Sequence, residues 1–363
     1  MIPGNGMTWA TSFKSIDAAI NASGGNAEIW VKQGHYLMYK TMQPDVTNLI
    51  LYGGFSGIET NKELRNPSLY PTIIDGQNKI SCFSNTNRVI IDGFTFQNSI
   101  QSAINNTAEA EIINCIFTDN SSESGGAINC HDNSNTKVIN SIFFKNNSLI
   151  NGGAINLGNK ANIDIINCSF TQNSAQQKGA AIFCSPGSTG RFINSIFWED
   201  NAESDSEFYA SGASIFYMYS NIQGIMPDRT NISTDPYFQS PNIGNLRLQP
   251  QSPCIDIGDS NAVNDIQKDL DGNSRILDGN NDQIFRVDIG AYEYKIIKKW
   301  TGDINHSGTV DLTDLILALK ATTELSSRSI YLDADVDEDG KIGLAESIYI
   351  IKKVFMEMES NSK

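Results

Sequence analysis

Through the middle of the chain, β-prone runs of four or five residues are split by clusters of asparagine, serine and glycine, without helical spacing. Such runs read as short strands bounded by turns. Five segments align: Ile91-Asp-Gly-Phe-Thr-Phe-Gln-Asn98, Ile113-Asn-Cys-Ile-Phe-Thr-Asp-Asn120, Ile139-Asn-Ser-Ile-Phe-Phe-Lys-Asn146, Ile166-Asn-Cys-Ser-Phe-Thr-Gln-Asn173 and Ile193-Asn-Ser-Ile-Phe-Trp-Glu-Asp200. Their starts lie 22, 26, 27 and 27 residues apart. A second marker keeps the same period: Gly125-Gly-Ala-Ile-Asn129, Gly152-Gly-Ala-Ile-Asn156 and Gly179-Ala-Ala-Ile-Phe183. Two markers in register define an internal repeat.

A unit of 22–27 residues holding about three short strands has the size of one coil of a parallel β-helix. Stacked coils pair each strand with its equivalents above and below, and inward Ile, Phe and Ala side chains form one continuous core. The pattern predicts that Ile113, Ile139, Ile166 and Ile193 stack in one inward column. Asn114, Asn140, Asn167 and Asn194 then fall on top of one another, where amides can hydrogen-bond along the axis, so a structural role outweighs a catalytic one. The Gly-Gly pairs mark tight corners where a Cβ would clash.

Residues 8–23 place Phe13, Ile16 and Ile20 on one helical face. A helix laid across the first rung would cap the open end of the solenoid. Ala27–Tyr36 reads as a strand and turn, and Leu51–Glu59 and Thr72–Gly76 as the first coils. The expected layout is a cap with first coils over 1–76, β-helix repeats over 77–240, a closing segment over 241–298 and a small helical domain over 299–358.

The 363 residues carry a formal charge of −15, a balance that repels phosphate backbones and argues against nucleic acid or anionic lipid as partners. No run of eighteen apolar residues exists, so no transmembrane helix is expected. Residues 1–13 lack the basic and apolar regions of a secretory signal. Taken literally that reads as cytoplasmic, but the rest of the chain argues for export, and an extracellular or outer-surface location is the expectation. Six cysteines are too few for a disulfide scaffold, and neither they nor the three histidines have zinc-ligand spacing. Cys115 and Cys168 share one coil position, with Ser141 between; Cys130 and Cys184 share another, with Leu157 between. Two rungs separate equivalent positions by roughly 9.5 Å, beyond disulfide reach, so these pairs are read as unbonded core residues. A Cys115–Cys130 or Cys168–Cys184 bridge within one coil stays open.

The Trp9 segment, Glu28–Tyr36, Leu51–Glu59, the Gly-Gly-Ala-Ile repeats and the Ile-Asn-x-x-Phe repeats together resemble the bacterial polymorphic outer-membrane-protein-like β-helix proteins. Ser252–Gly258, Asp269–Arg275 and Val287–Tyr294 resemble the closing segment of surface proteins called choice-of-anchor proteins. The resemblance spans about residues 4–294 and implies a right-handed parallel β-helix outside the cell, usually without known catalysis. Asp269-Leu-Asp-Gly-Asn273 has no carboxylate at a twelfth position, where Asn280 stands, and is read as a turn rather than a cation loop.

Beyond Trp300 the pattern changes. Asp303, Asn305, Ser307, Asp311 and Asp314 offer side-chain oxygens at positions 1, 3, 5, 9 and 12 of a loop, with Gly308 at position 6 and the Thr309 carbonyl at 7. Thirty-two residues later Asp335, Asp337, Asp339 and Glu346 stand at positions 1, 3, 5 and 12, with Gly340 at 6 and the Lys341 carbonyl at 7. Gly343 has no side chain, so a water must serve at position 9. This is the ligand scheme of a calcium loop of the EF-hand type, and two copies predict two Ca²⁺ sites. Each loop leads into a helix with matching apolar offsets: Leu312, Ile316, Leu319 and Leu344, Ile348, Ile351. His306, at the non-ligating position 4, is expected to be an exposed loop residue.

Loop-then-helix duplication without a helix ahead of each loop resembles dockerin domains, over residues 302–355. That resemblance implies a cohesin-type partner, contacted at positions 10 and 11, here Leu312, Thr313, Leu344 and Ala345. These are more apolar than the usual Ser-Thr pairs, and a structural calcium staple is equally compatible. The reading is thus a surface solenoid for adhesion or for binding a cell-surface polysaccharide, with a calcium module. The competing class is a polysaccharide lyase or glycosidase delivered by its dockerin. Such enzymes need clustered carboxylates. The coils offer only the column Gln97, Asp119, Lys145, Gln172, Glu199, where Asp119 and Lys145 would make a surface ion pair, and the group Arg191, Glu199, Asp200. No catalytic residue is assigned.

Overall fold

The computed structural model describes residues 5–204, 207–210, 212–296, 301–323, 330–337 and 339–360, without the side chains of 355–360. The chain divides into two compact units, Met1–Tyr294 and Lys295–Lys363.

The first unit is a parallel β-solenoid of about seven turns. One eight-stranded sheet starts at Ala27–Lys32 and ends at Ser214–Met218; a second starts at Gly34–Leu37 and ends at Asn221–Ile222. A six-stranded sheet stacks Phe83–Asn85 up to Phe208–Ala210, and a four-stranded one stacks Ser121–Ser124 up to Asn201–Ser204. Every pairing in these four sheets is parallel, and Ile113, Ile139, Ile166 and Ile193 are successive Cα partners. The first aligned segment is one residue out of step, with Ile91 meeting Ile112 and Gln97 meeting Thr118 rather than Asp119.

Aromatic rings and small side chains fill the bore. Phe96, Phe117, Phe143, Phe170 and Phe197 stack with centroids 5.3, 4.9, 4.3 and 4.6 Å apart, close to the rung spacing of the sheets. Ala103, Ala127, Ala154 and Ala181 form a fully buried column. The expected isoleucine column stacks in register but is not the inward one. The interior cluster takes Ile112, Val138, Ile165 and Phe192, one position earlier in each coil. Because side chains alternate along a strand, a one-residue slip moves a column to the other face.

The corners explain the motif polarity. Asn114, Asn140, Asn167 and Asn194 have φ between 50° and 52°, and Asp119, Lys145, Gln172 and Glu199 between 54° and 61°. Left-handed backbone is tolerated by asparagine better than by most residues. At Gly152 (φ 64°) a Cβ would lie 2.3 Å from the Ile155 carbonyl oxygen, so glycine is required.

Two amide ladders run along the axis. The first is interrupted: Asn140 donates to Asn114 at 3.1 Å and Asn194 to Asn167 at 3.3 Å, but Asn167 Nδ2 turns to the Asp288 and Gly290 carbonyls instead of to Asn140. The second, formed by the last motif position, is fully buried: Asn120 donates to Asn146, Asn146 to Asn173 and Asn173 to Asp200, at 3.0, 3.0 and 2.8 Å. All six cysteines are free and buried; neither the two-rung pairs nor the pairs within one coil are bridged.

The helix expected over 8–23 is shorter. A 3-10 turn covers Trp9–Thr11, and α1 covers Ile16–Ala22 alone, with Ser15 accepting from Ala18 N–H as its N-cap. Ser15 ends the helical spacing by capping it, so Ile16 and Ile20 are buried while Phe13 is only partly covered.

The closing segment packs on the outside of the second sheet. Phe238, Leu246, Leu248, Cys254, Ile255, Leu270, Ile289 and Tyr292 cover Ile142, Phe144 and Ile196. Its polar side engages the first ladder: Asn140 donates to the Lys268 carbonyl at 2.7 Å, Asn167 to that of Asp288 at 3.3 Å and Asn194 to that of Asp259 at 3.1 Å. Arg275, 1 % exposed, donates to Glu293 at 2.7 Å and to Asn140 Oδ1 at 2.6 Å. Asp269 accepts from the N–H groups of Asp271 and Asn273 at 3.0 and 2.7 Å, which makes this stretch a turn.

In the second unit α2 (Leu312–Thr322) and α3 (Leu344–Ser360) each follow one loop. Ile304, Ala318, Ala334, Ile342 and Ile350 form its buried core. No described helix is long and apolar enough to cross a membrane.

Candidate metal centre

The two loops of the second unit fold alike from equivalent residues. Asp303 accepts from Gly308 N–H at 2.7 Å and from Ser307 N–H at 2.9 Å. Asp335 accepts from Gly340 N–H at 2.8 Å. Gly308 and Gly340 have φ of 93° and 79°, so position 6 turns the chain back and points its N–H at the position 1 carboxylate. The twelfth residue closes each loop. Asp314 accepts from Asn305 and Asp311 N–H at 3.1 and 2.9 Å, and Glu346 accepts from Val336 and Gly343 N–H. The same carboxylates serve as third residue of α2 and α3, so loop closure and helix initiation are one device.

Burial separates the ligand candidates. Asp303, Asp314, Asp335 and Glu346 are buried, whereas Ser307, Thr309, Asp311, Asp337, Asp339 and Lys341 are exposed and Asn305 lies between. In the second loop Asp335, Asp337 and Glu346 place ligand oxygens within 4.8 Å of one another. Partial desolvation and the charges of Asp339 and Glu346 hold the Asp337 carboxyl above its usual range. An all-oxygen set of crowded carboxylates on a glycine turn fits a hard divalent cation, which would relieve that repulsion. In the first loop Asp311 caps α2, accepting from Thr313 N–H at 2.6 Å. Asn305 Oδ1 accepts from Ser307 N–H at 2.7 Å, and Ser307 Oγ donates to the Thr309 carbonyl at 3.1 Å. Lys341 N–H donates to Asp339 at 2.8 Å.

His306 departs from expectation. Its ring stacks on Tyr331 at 3.9 Å and hydrogen-bonds Asp333 at 2.8 Å, tying the first loop to the turn ahead of the second. The matched offsets do not form the core: Leu312, Ile316, Leu319, Leu344, Ile348 and Ile351 are all exposed, from 40 to 64 %.

The acids singled out on the coils are spent on structure. Lys145 donates to the Asn242 carbonyl at 2.8 Å rather than pairing with Asp119, which accepts from Thr118 Oγ1 at 2.7 Å. Arg191 pairs with Asp164, one rung away, at 2.7 Å, while Asp200 is buried beside Glu207, so the proposed group does not assemble. The sequence puts Asp164 directly beside Arg191 once coils are aligned, a signal that nearest-neighbour reading along the chain overlooks.

Two stretches of the solenoid match a known repeat. Residues 114–131 and 167–185 match the Chlamydia polymorphic membrane protein repeat. No curated protein and no solved structure matches the chain. Each matched stretch begins on a first-ladder asparagine, Asn114 or Asn167, and includes two buried cysteines, the stacked Phe117 or Phe170 and the glycine corner. The matched stretches cover strands of the second, six-stranded and four-stranded sheets of a coil and leave out the core residues Ile112 and Ile165 of the first.

Proposed function

We propose that this chain is a non-catalytic surface solenoid for adhesion or polysaccharide binding, with a calcium-binding module of the dockerin type at residues 299–358. The observation that carries the surface reading is the polymorphic membrane protein repeat in two coils of a parallel β-solenoid. The calcium reading is supported by the duplicated loop, in which a carboxylate at position 1 accepts from the position 6 glycine in both copies. Ca²⁺ bound there would supply charge neutralisation and order, with Asp303, Asn305, Ser307, Asp311, Asp314 and the Thr309 carbonyl holding one ion. Asp335, Asp337, Asp339, Glu346 and the Lys341 carbonyl would hold the other. The exposed apolar residues repeated at matching offsets on α2 and α3 support a protein partner of the cohesin kind. The test presents the full chain, with and without calcium, to cell-surface polysaccharides and to cohesin modules. Retention on a polysaccharide without release of soluble sugar is expected. Steady sugar release would make the chain an enzyme, and retention on nothing would count against both binding roles.

A further inference from the structure

Each amide ladder ends on an aspartate, but the two ends are paired differently. Asp92 ends the first: it accepts from Asn114 Nδ2 at 2.9 Å and is paired with the Arg65 guanidinium. Asp200 ends the second, its Oδ1 accepting from the Asn173 backbone N–H at 2.6 Å and from Asn173 Nδ2 at 2.8 Å. Its interacting neighbour is another acid, Glu207. Phe208 pairs with Ile182, so Glu207 continues the column of Ala103, Ala127, Ala154 and Ala181. A carboxyl group thus stands where four earlier coils place a methyl. Both acids are 6 % exposed, and among the described residues Asp200 Oδ2 and Glu207 Oε1 and Oε2 are buried with no side-chain donor, the Asp200 backbone N–H being the one group that favours the Glu207 carboxylate.

Two neighbouring ionised carboxylates with three of their four oxygens lacking a side-chain donor, and with no counter-charge, are strongly disfavoured in a buried site. A divalent cation would need six to eight oxygens, against three orphaned here. A proton needs only two. We propose that Asp200 and Glu207 keep at least one proton between them in the folded chain, and that this protonation latches the last coil shut until alkaline pH removes it.

Burial raises the carboxyl of Asp200 to about 7, and burial together with the Asp200 charge raises that of Glu207 well above its usual range. Unfolded carboxyls titrate near about 4, so the folded chain holds the proton more tightly. The latch is fully effective below that range and is lost as pH rises through about 7 and beyond. Of the other titratable groups on the packed elements, Glu199 adds a like charge and Glu203 is exposed. The Lys178 ammonium lies 3.9 Å over the Tyr209 ring, and Cys184 is a buried thiol raised to about 12.

The strands that would open are Asn201–Ser204 and Phe208–Ala210, the last of their sheets. The test is amide hydrogen exchange on the full chain at pH 6 and pH 9, corrected for intrinsic rates, with calcium and without. Wild type should lose protection at least tenfold in these two strands while Ile155–Leu157 is unchanged. Glu207→Gln gives Asp200 an N–H donor at every pH, and Asp200→Asn extends the ladder by one amide; both should retain protection at pH 9. Equal wild-type protection at both pH values overturns the proposal, even if neither variant folds. Equal loss in Glu207→Gln, or protection of these strands that depends on calcium, overturns it as well.

Discussion

At Asn146 the ladder does its structural work through one fully buried side chain. Nδ2 donates to the Phe117 carbonyl and to Asn173, while Oδ1 accepts from the N–H and the amide of Asn120. Asn146→Ala leaves several of these groups buried without partners, at about 1–3 kcal/mol each. A loss of about 3 kcal/mol or more is expected in urea unfolding, read as a lower midpoint. Asn129 is the control: it accepts from Asn156 at 2.8 Å on the outer, half-exposed face, and Asn129→Ala should stay within about 0.5 kcal/mol. Gly152→Ala should cost more than about 1 kcal/mol, because it adds both a left-handed alanine and a Cβ against a carbonyl. The sequence announced the first asparagine column, whereas the second was hidden by its own variation: Asn120, Asn146 and Asn173 end on Asp200, and only the structure shows that the aspartate accepts what the amides donate.

Elements were legible where one physical rule dominated. Zero-offset stacking followed from the 27-residue spacing, and the positions of α2 and α3 followed from the loops that start them. The inward face was not legible, because Ile112 and Ile113, or Ile165 and Ile166, are adjacent and both apolar. When strands are covered on both sides the alternation that reports the inner face disappears, and Ile139, Ile166 and Ile193 are indeed at most 7 % exposed although outside the interior cluster. The closing segment depends on one buried ion pair, Arg275 with Glu293, 1 % and 0 % exposed at the side chains. Arg275→Met strands Glu293 and removes the donor to Asn140, so a cost of about 3–5 kcal/mol is expected. Limited proteolysis should then cut within 241–294 before the coils are touched; equal resistance of the variant and wild type would show that the apolar contacts of Tyr292 and Leu270 suffice.

At the scale of the whole molecule, two units with separate cores should respond to calcium separately. A ligand that binds only the folded form stabilises it by about 2.7 kcal/mol at a hundredfold excess over Kd. Thermal unfolding should therefore show a transition for 295–363 that moves upward with calcium, and a solenoid transition that does not. The most direct test of the calcium claim is calorimetric titration of the full chain. Two binding events are expected, the tighter at the second loop, whose four ligand carboxylates exceed the three of the first. Asp335→Ala should remove the tighter event and Asp303→Ala the weaker. Calcium uptake left unchanged by both substitutions would contradict the account, and reduce the duplicated loops to acidic turns that start two helices.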